Sequence, residues 1–218
     1  MPDPSPFPLA LAPFPLALAI ESVAALGMAE AHKDRVAAMH RTFEERTGAF
    51  RAEEPWFESR SRAFWDDAVT RQGFARHVFA ELPEPARAWV PALERAHRGL
   101  FYATLTMSRR LLRDVWSGAE FVIDEVDDAS RSALDAPSGP FDGRLAALSD
   151  PTRIGLLPGA VFHPEDATEP IERVLAAARE QQFRTDDVLD ALLRMEMSLR
   201  TMSRVKPSYA YRTQALSR

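Results

Sequence analysis

Between Gly99 and Asp135 apolar residues recur at a helical spacing, with Leu100, Thr104, Met107, Leu111 and Val115 on one stripe and Leu105, Leu112 and Trp116 beside it. Two adjoining stripes predict a central helix covered by neighbours on more than one side. Upstream, Ile20, Val23, Leu26, Val36, Met39 and Phe43 give a helical pattern from about Leu16 to Thr47, with Gly48 as its stop. Pro55 suits the first turn of the next helix, which carries Trp56, Phe57, Phe64, Trp65 and Val69 towards Gly73. A short piece, FARHVFAEL, follows, and Pro85 opens a further helix through Trp89 and Leu93 to Gly99.

After the turn-rich APSGP at Ala136–Pro140, the apolar stretches FDGRLAAL and IGLLPGAVF flank SDPTR, a spacing that predicts a β-hairpin. Helices are expected again over about Asp166–Gln182 and Thr185–Val205, with Thr185 as the N-cap of the last. The fold class read from this pattern is mainly α: an up-and-down helical bundle with a small β-hairpin insert before two C-terminal helices. Its divisions are an apolar arm over residues 1–19, a bundle over 20–135, the hairpin with two helices over 136–205, and a basic tail over 206–218.

The arm is an exact tandem heptapeptide, PFPLALA at Pro6–Ala12 and again at Pro13–Ala19. Its four prolines and early Glu21 fit neither a membrane-spanning helix nor, with Asp3 as the only early charge, a secretory signal. In an extended or polyproline conformation Phe7, Leu9, Leu11, Phe14, Leu16 and Leu18 alternate with small residues, as a strip that fills a groove would. That groove belongs either to the bundle itself or to a partner.

Composition narrows the chemistry. Cysteine is absent, so thiolate catalysis, disulfides and cysteine-ligated metals are excluded. Asparagine is absent too, and Lys33 and Lys206 are the only lysines among 27 basic residues, which reads as the codon bias of a GC-rich, bacterial-like genome. Residues 1–118 carry 15 basic and 15 acidic groups, residues 119–190 carry 6 and 16, and residues 191–218 carry 6 and 1. An acidic middle and a basic tail suit attraction within or between chains better than duplex binding. In the tail, Lys206, Tyr209, Tyr211 and Arg212 interleave cations and aromatics as a peptide arm does.

No phosphate-binding glycine loop, dinucleotide fingerprint or nucleophile elbow occurs in the sequence. Glu94 and His97 form one E-x-x-H, the unit that carboxylate-bridged bundles use twice, but it has no second copy. Glu120, Asp124 and either Asp127 or Asp128 fall along one helical face that could meet a hard cation or the basic tail. His163, in FHPED, reads as part of a turn, and His40 with Glu44 as an exposed polar pair. The sequence alone therefore supports a cytoplasmic, non-catalytic interaction protein that docks another protein or a hydrophobic surface through its strip or tail. Self-association is a further option; no cofactor, transmembrane segment or nucleic-acid partner is expected. The alternative is a metal-dependent bundle enzyme built on Glu94, His97 and carboxylates of the central helix.

Overall fold

The structure is a computed structural model that describes residues 15–106, 109–135, 139–147, 154–202 and 204–217. Its first third is helical: α1 (Leu16–Gly27), α2 (Lys33–Thr47), α3 (Phe57–Val69) and three short helices, α4 (Phe74–His77), α5 (Glu84–Arg87) and α6 (Val90–Glu94). Leu16, Ala19, Ile20 and Val23 form the buried stripe of α1, and Met39 and Phe43 that of α2. Gly27 lets α1 approach α3 closely, because a Cβ there would sit 2.5 Å from the Trp65 ring. Gly48 ends α2 at φ +95°. The fully buried Arg60 of α3 then satisfies that end, donating from Nη2 to the carbonyl of Thr47 at 2.6 Å and to its hydroxyl at 3.0 Å.

The chain next enters a sheet, and here the expected bundle is overturned. Residues read as one central helix are three strands, β1 (His97–Thr106), β2 (Arg109–Asp114) and β3 (Glu120–Glu125), followed by α7 (Asp128–Asp135). β4 (Phe141–Ala147), β5 (Ile154–Leu156) and the two-residue β6 (Val161–Phe162) complete the sheet. Its order is β1-β2-β3-β5-β4, and β4 pairs back onto β1, which closes a five-stranded barrel. β3 and β5 run parallel and the other neighbours antiparallel, while β6 extends the β5 edge of β4. That order, with a helix between β3 and β4, is the topology of an OB-fold barrel. The two strands expected to flank residues 149–153 do pair, but as staves of this barrel and not as an insert on a bundle.

The physical reason lies in the inward side chains. Phe101, Leu112, Ile123, Phe141, Leu145 and Leu156 fill the barrel, each from an alternating position of its strand. Gly99 faces Gly143 across the β1–β4 pair, and the Phe101 and Phe141 rings, 5.7 Å apart, use the space the glycines leave. Asp114 and Gly118 make the β2–β3 turn, with the Gly118 N–H donating to the Asp114 carbonyl at 2.8 Å and φ +75° at Gly118. The expected acidic helical face is divided accordingly: Glu120 and Asp124 lie on β3, while Asp127 caps α7 by accepting from the Ala129 and Ser130 N–H groups.

Two long helices follow, α8 (Thr168–Glu180) and α9 (Thr185–Thr201), then the short α10 (Pro207–Ala210). Arg184, not Thr185, occupies the N-cap of α9, and no side chain caps it. α9 joins the parts: Leu193 and Met197 pack into the helical core, while Leu189, Leu192 and Met195 pack with α8, Leu100 and Tyr211. Among the described residues no helix is long and apolar enough to cross a membrane.

Candidate functional site

Where the three parts meet, a cleft of about 620 Å³ is lined by the end of α3, the start of β1, the β2–β3 turn, β4 and the start of α9. Four guanidinium groups, of Arg71, Arg98, Arg144 and Arg184, line it. Behind three of these lie carboxylates that are not part of the lining. Arg98 donates from Nη2 to Asp142 Oδ2 at 2.7 Å and from Nη1 to Asp190 Oδ1 at 2.6 Å. Arg71 reaches Asp190 at 2.9 Å and Arg144 reaches Asp67 at 2.7 Å. Arg46, at the back, bridges Asp67 and Asp190.

This network sets four arginines, Arg46, Arg71, Arg98 and Arg144, against three aspartates, and the cleft lining itself also carries Glu94, Asp114 and Asp186. Arg98 is 7% exposed at its side chain and Asp190 5%, so charge is held where water screens it poorly. Burial alone would raise the Asp190 carboxyl, but the charge and hydrogen bond of Arg98, with Arg46 and Arg71, hold it down to about 2. Burial lowers Arg144, and the neighbouring charge of Arg98 adds to this against the pull of Asp67 and Asp142. Arg184 adds an exposed cation at the rim, beside the first turn of α9, where Asp186, itself on the lining, and Asp187 already place negative charge against the uncapped N–H groups.

One wall carries a second device. His97 Nε2 lies 3.2 Å from Asp114 Oδ2, which also accepts from the Ser117 hydroxyl at 2.6 Å, while Oδ1 accepts from the Trp116 N–H at 2.9 Å. Burial opposes ionisation of Asp114, yet the hydrogen bonds from His97, Ser117 and Trp116 outweigh it and hold the carboxyl below its ordinary value. An ionised Asp114 requires Nε2 to be the donor; Nδ1 of the half-exposed ring is then an acceptor when the ring is neutral and a second donor when it is protonated. The arrangement can grip an anion and accept a proton beside it.

Glu94 and His97 thus reach the same cleft, but not as the pair of a helical metal site. Glu94 ends α6 and His97 begins β1, and Glu94 is held by Arg76 at 2.8 and 3.1 Å. Among the described residues no three His, Asp or Glu side chains are grouped to hold a metal ion. His163 is buried, with Nδ1 2.7 Å from the Tyr211 hydroxyl, and burial with the nearby charges of Arg200 and Arg60 pushes it down to about 3. His40 and Glu44 do meet, at 3.3 Å.

Of the residues expected to meet a partner, Phe7, Leu9, Leu11 and Phe14 lie outside the described residues. Leu16 is part of the helical core and Tyr211 of the α8–α9 core, whereas Leu18, Lys206, Tyr209 and Arg212 are exposed. The residues that build the cleft, Arg71, Arg98, Asp114, Ser117, Arg144 and Arg184, carry no recognisable motif. A signal did exist: Asp142 and Arg144 are charged positions within an otherwise apolar strand, and such charges need buried partners. Compared with protein-family models, with curated proteins and with solved structures, the chain gives no match in any of the three.

Proposed function

We propose that this chain binds a small anionic molecule, carrying a carboxylate or phosphate group, in the arginine-lined cleft, with His97 backed by Asp114 as its proton acceptor. One observation supports this above the rest: Arg71, Arg98 and Arg144 face the cleft while their carboxylate partners stand behind them. Held so, a guanidinium keeps donors free for a planar or tetrahedral anion without having to be desolvated on binding. The OB-type barrel alone supports no particular ligand. Its β2–β3 surface offers exposed Arg113 against exposed Glu120 and Asp124, which is poor ground for a nucleic-acid strand.

Arg184 is the test because it is exposed and its removal leaves the buried network intact. Isothermal titration of the full chain with inorganic phosphate and with citrate should give binding that Arg184→Ala weakens about tenfold, with an unchanged melting temperature. Equal affinity of variant and wild type, or no binding of either anion, contradicts the reading.

A second reading keeps the chain as an interaction protein that docks a partner protein or hydrophobic surface through its N-terminal strip or basic tail. The exposure of Leu18, at 42%, and of Tyr209, at 57%, favours it. Removing residues 1–14, and separately substituting Tyr209 and Arg212 by Ala, should then abolish an association of the full chain; associations left intact by both would end it. A cytoplasmic location is kept as part of both proposals.

A further inference from the structure

Apart from the cleft, and sharing no lining residue with it, a pocket of about 230 Å³ lies among α1, α3 and the cap of α7. Ala17, Ile20 and Trp65 give it an apolar wall, and Glu21, Asp66 and Asp127 an acidic one. These carboxylates are not equivalent. Asp127 is committed to α7, accepting from Ala129 N–H at 3.0 Å, Ser130 N–H at 3.1 Å and the Ser130 hydroxyl at 2.6 Å. Asp66 is 1% exposed; its Oδ2 accepts from the Gly159 N–H at 2.8 Å, and its Oδ1 has no partner among the described residues.

A buried carboxylate oxygen without a donor is costly to keep. The pocket's own cation does not relieve it, because Arg62 donates to Glu58 at 2.6 Å and stands 3.8 Å from Asp127. The geometry points to a binding site for a short-chain organic ammonium ion, its N–H donors meeting Asp66 Oδ1 and its alkyl chain lying against Ile20 and Trp65. A metal ion fits less well, since among the described residues no three ligand side chains are grouped around one point. An alkylammonium needs one buried acceptor, a few apolar contacts and an aromatic face, and the pocket has all three.

The site carries a built-in pH dependence. Burial pushes the Asp66 carboxyl up to about 7, with Arg144 and the Gly159 N–H opposing and Asp127 and Asp142 reinforcing it. The charged groups around it are Glu21 from α1, Arg62 from α3 itself, Asp127 ahead of α7, and Asp142 and Arg144 from β4. An ammonium ion must therefore displace a proton from Asp66 below neutrality, and binding strengthens as that proton leaves.

The experiment is an NMR titration of the full chain with n-butylammonium chloride, with 1-butanol as the neutral analogue of the same shape. The amides of Ile20, Asp66 and Gly159 should shift with millimolar affinity for the amine at about pH 8, roughly tenfold weaker at about pH 6, and not for the alcohol. Asp66→Asn should lose the amine response, and Glu21→Gln, at an exposed position, should weaken it about threefold even if Asp66→Asn folds poorly. Equal shifts with alcohol and amine, no saturable shift at about pH 8, or unchanged affinity in both variants overturns the proposal. Because the probe is a cation and the cleft is read as an anion site, failure here leaves that reading standing.

Discussion

Two aspartates with opposite environments give the protein opposite responses to pH. Asp190, gripped by Arg98, Arg46 and Arg71, is held down to about 2 from an ordinary 3.8, so its stabilisation is full above that ordinary value and is lost as pH falls through the native one. Asp66, buried with one oxygen unpaired, is raised to about 7, so the fold favours its protonated form and stability falls as pH rises from about 4 towards 7. The slope of that second limb approaches 1.4 kcal/mol per pH unit, roughly the linkage limit for one proton. Urea denaturation at a series of pH values should show Asp66→Asn flattening the neutral limb and Asp190→Asn flattening the acid one. Asp190→Asn should also destabilise by about 1.5–3 kcal/mol at neutral pH, since it removes the carboxylate shared by Arg46, Arg71 and Arg98 and leaves Arg98 with Asp142 alone. A neutral limb unchanged in Asp66→Asn would mean that its carboxyl is solvated or paired.

At the scale of elements, three of the long helices were legible, while the barrel was not, and the helix expected from Pro85 to Gly99 is the two short helices α5 and α6 followed by the start of β1. Thirteen to seventeen residues, as in α3, α8 and α9, give an apolar stripe several turns to establish itself, and all three lie where their periodicity predicts them. β1 and β2 are too short for that: Leu100, Thr104 and Leu111 satisfy a helical spacing, while the barrel-filling Phe101, Leu112 and Ile123 come one from each of three strands, and only long-range pairing decides. What the sequence did hold was glycine. Gly99 and Gly143 sit opposite each other because the Phe101 and Phe141 rings cover them, and a Cβ at Gly99 would come within 2.7 Å of the Phe101 ring. Gly99→Ala is therefore expected to cost about 1–3 kcal/mol by overpacking, whereas in a solvated helix the same change would stabilise. A stabilised Gly99→Ala in thermal denaturation would argue against the barrel register.

The whole molecule explains why the candidate site was hidden. Arg98 meets Asp142 from 44 residues away and Asp190 from 92, and Arg144 meets Asp67 from 77, so no local motif can announce them. His97 attracted attention through its spacing from Glu94, yet its working partner is Asp114, placed beside it by the barrel. The helical layer, the barrel and the α8–α9 pair each bring one wall, and α9 fastens them through Asp190 and its apolar faces. The cleft is thus a product of assembly, and its ligand should bind only to the intact fold.

The most direct measurement is an amide-resolved NMR titration of the full chain with inorganic phosphate at low ionic strength. One saturable set of shifts is expected, confined to the cleft at Arg71, His97, Arg98, Trp116, Ser117 and Arg184 and weakening as salt is raised. Shifts scattered over the basic tail and the outer faces of helices, with these residues silent, would contradict it.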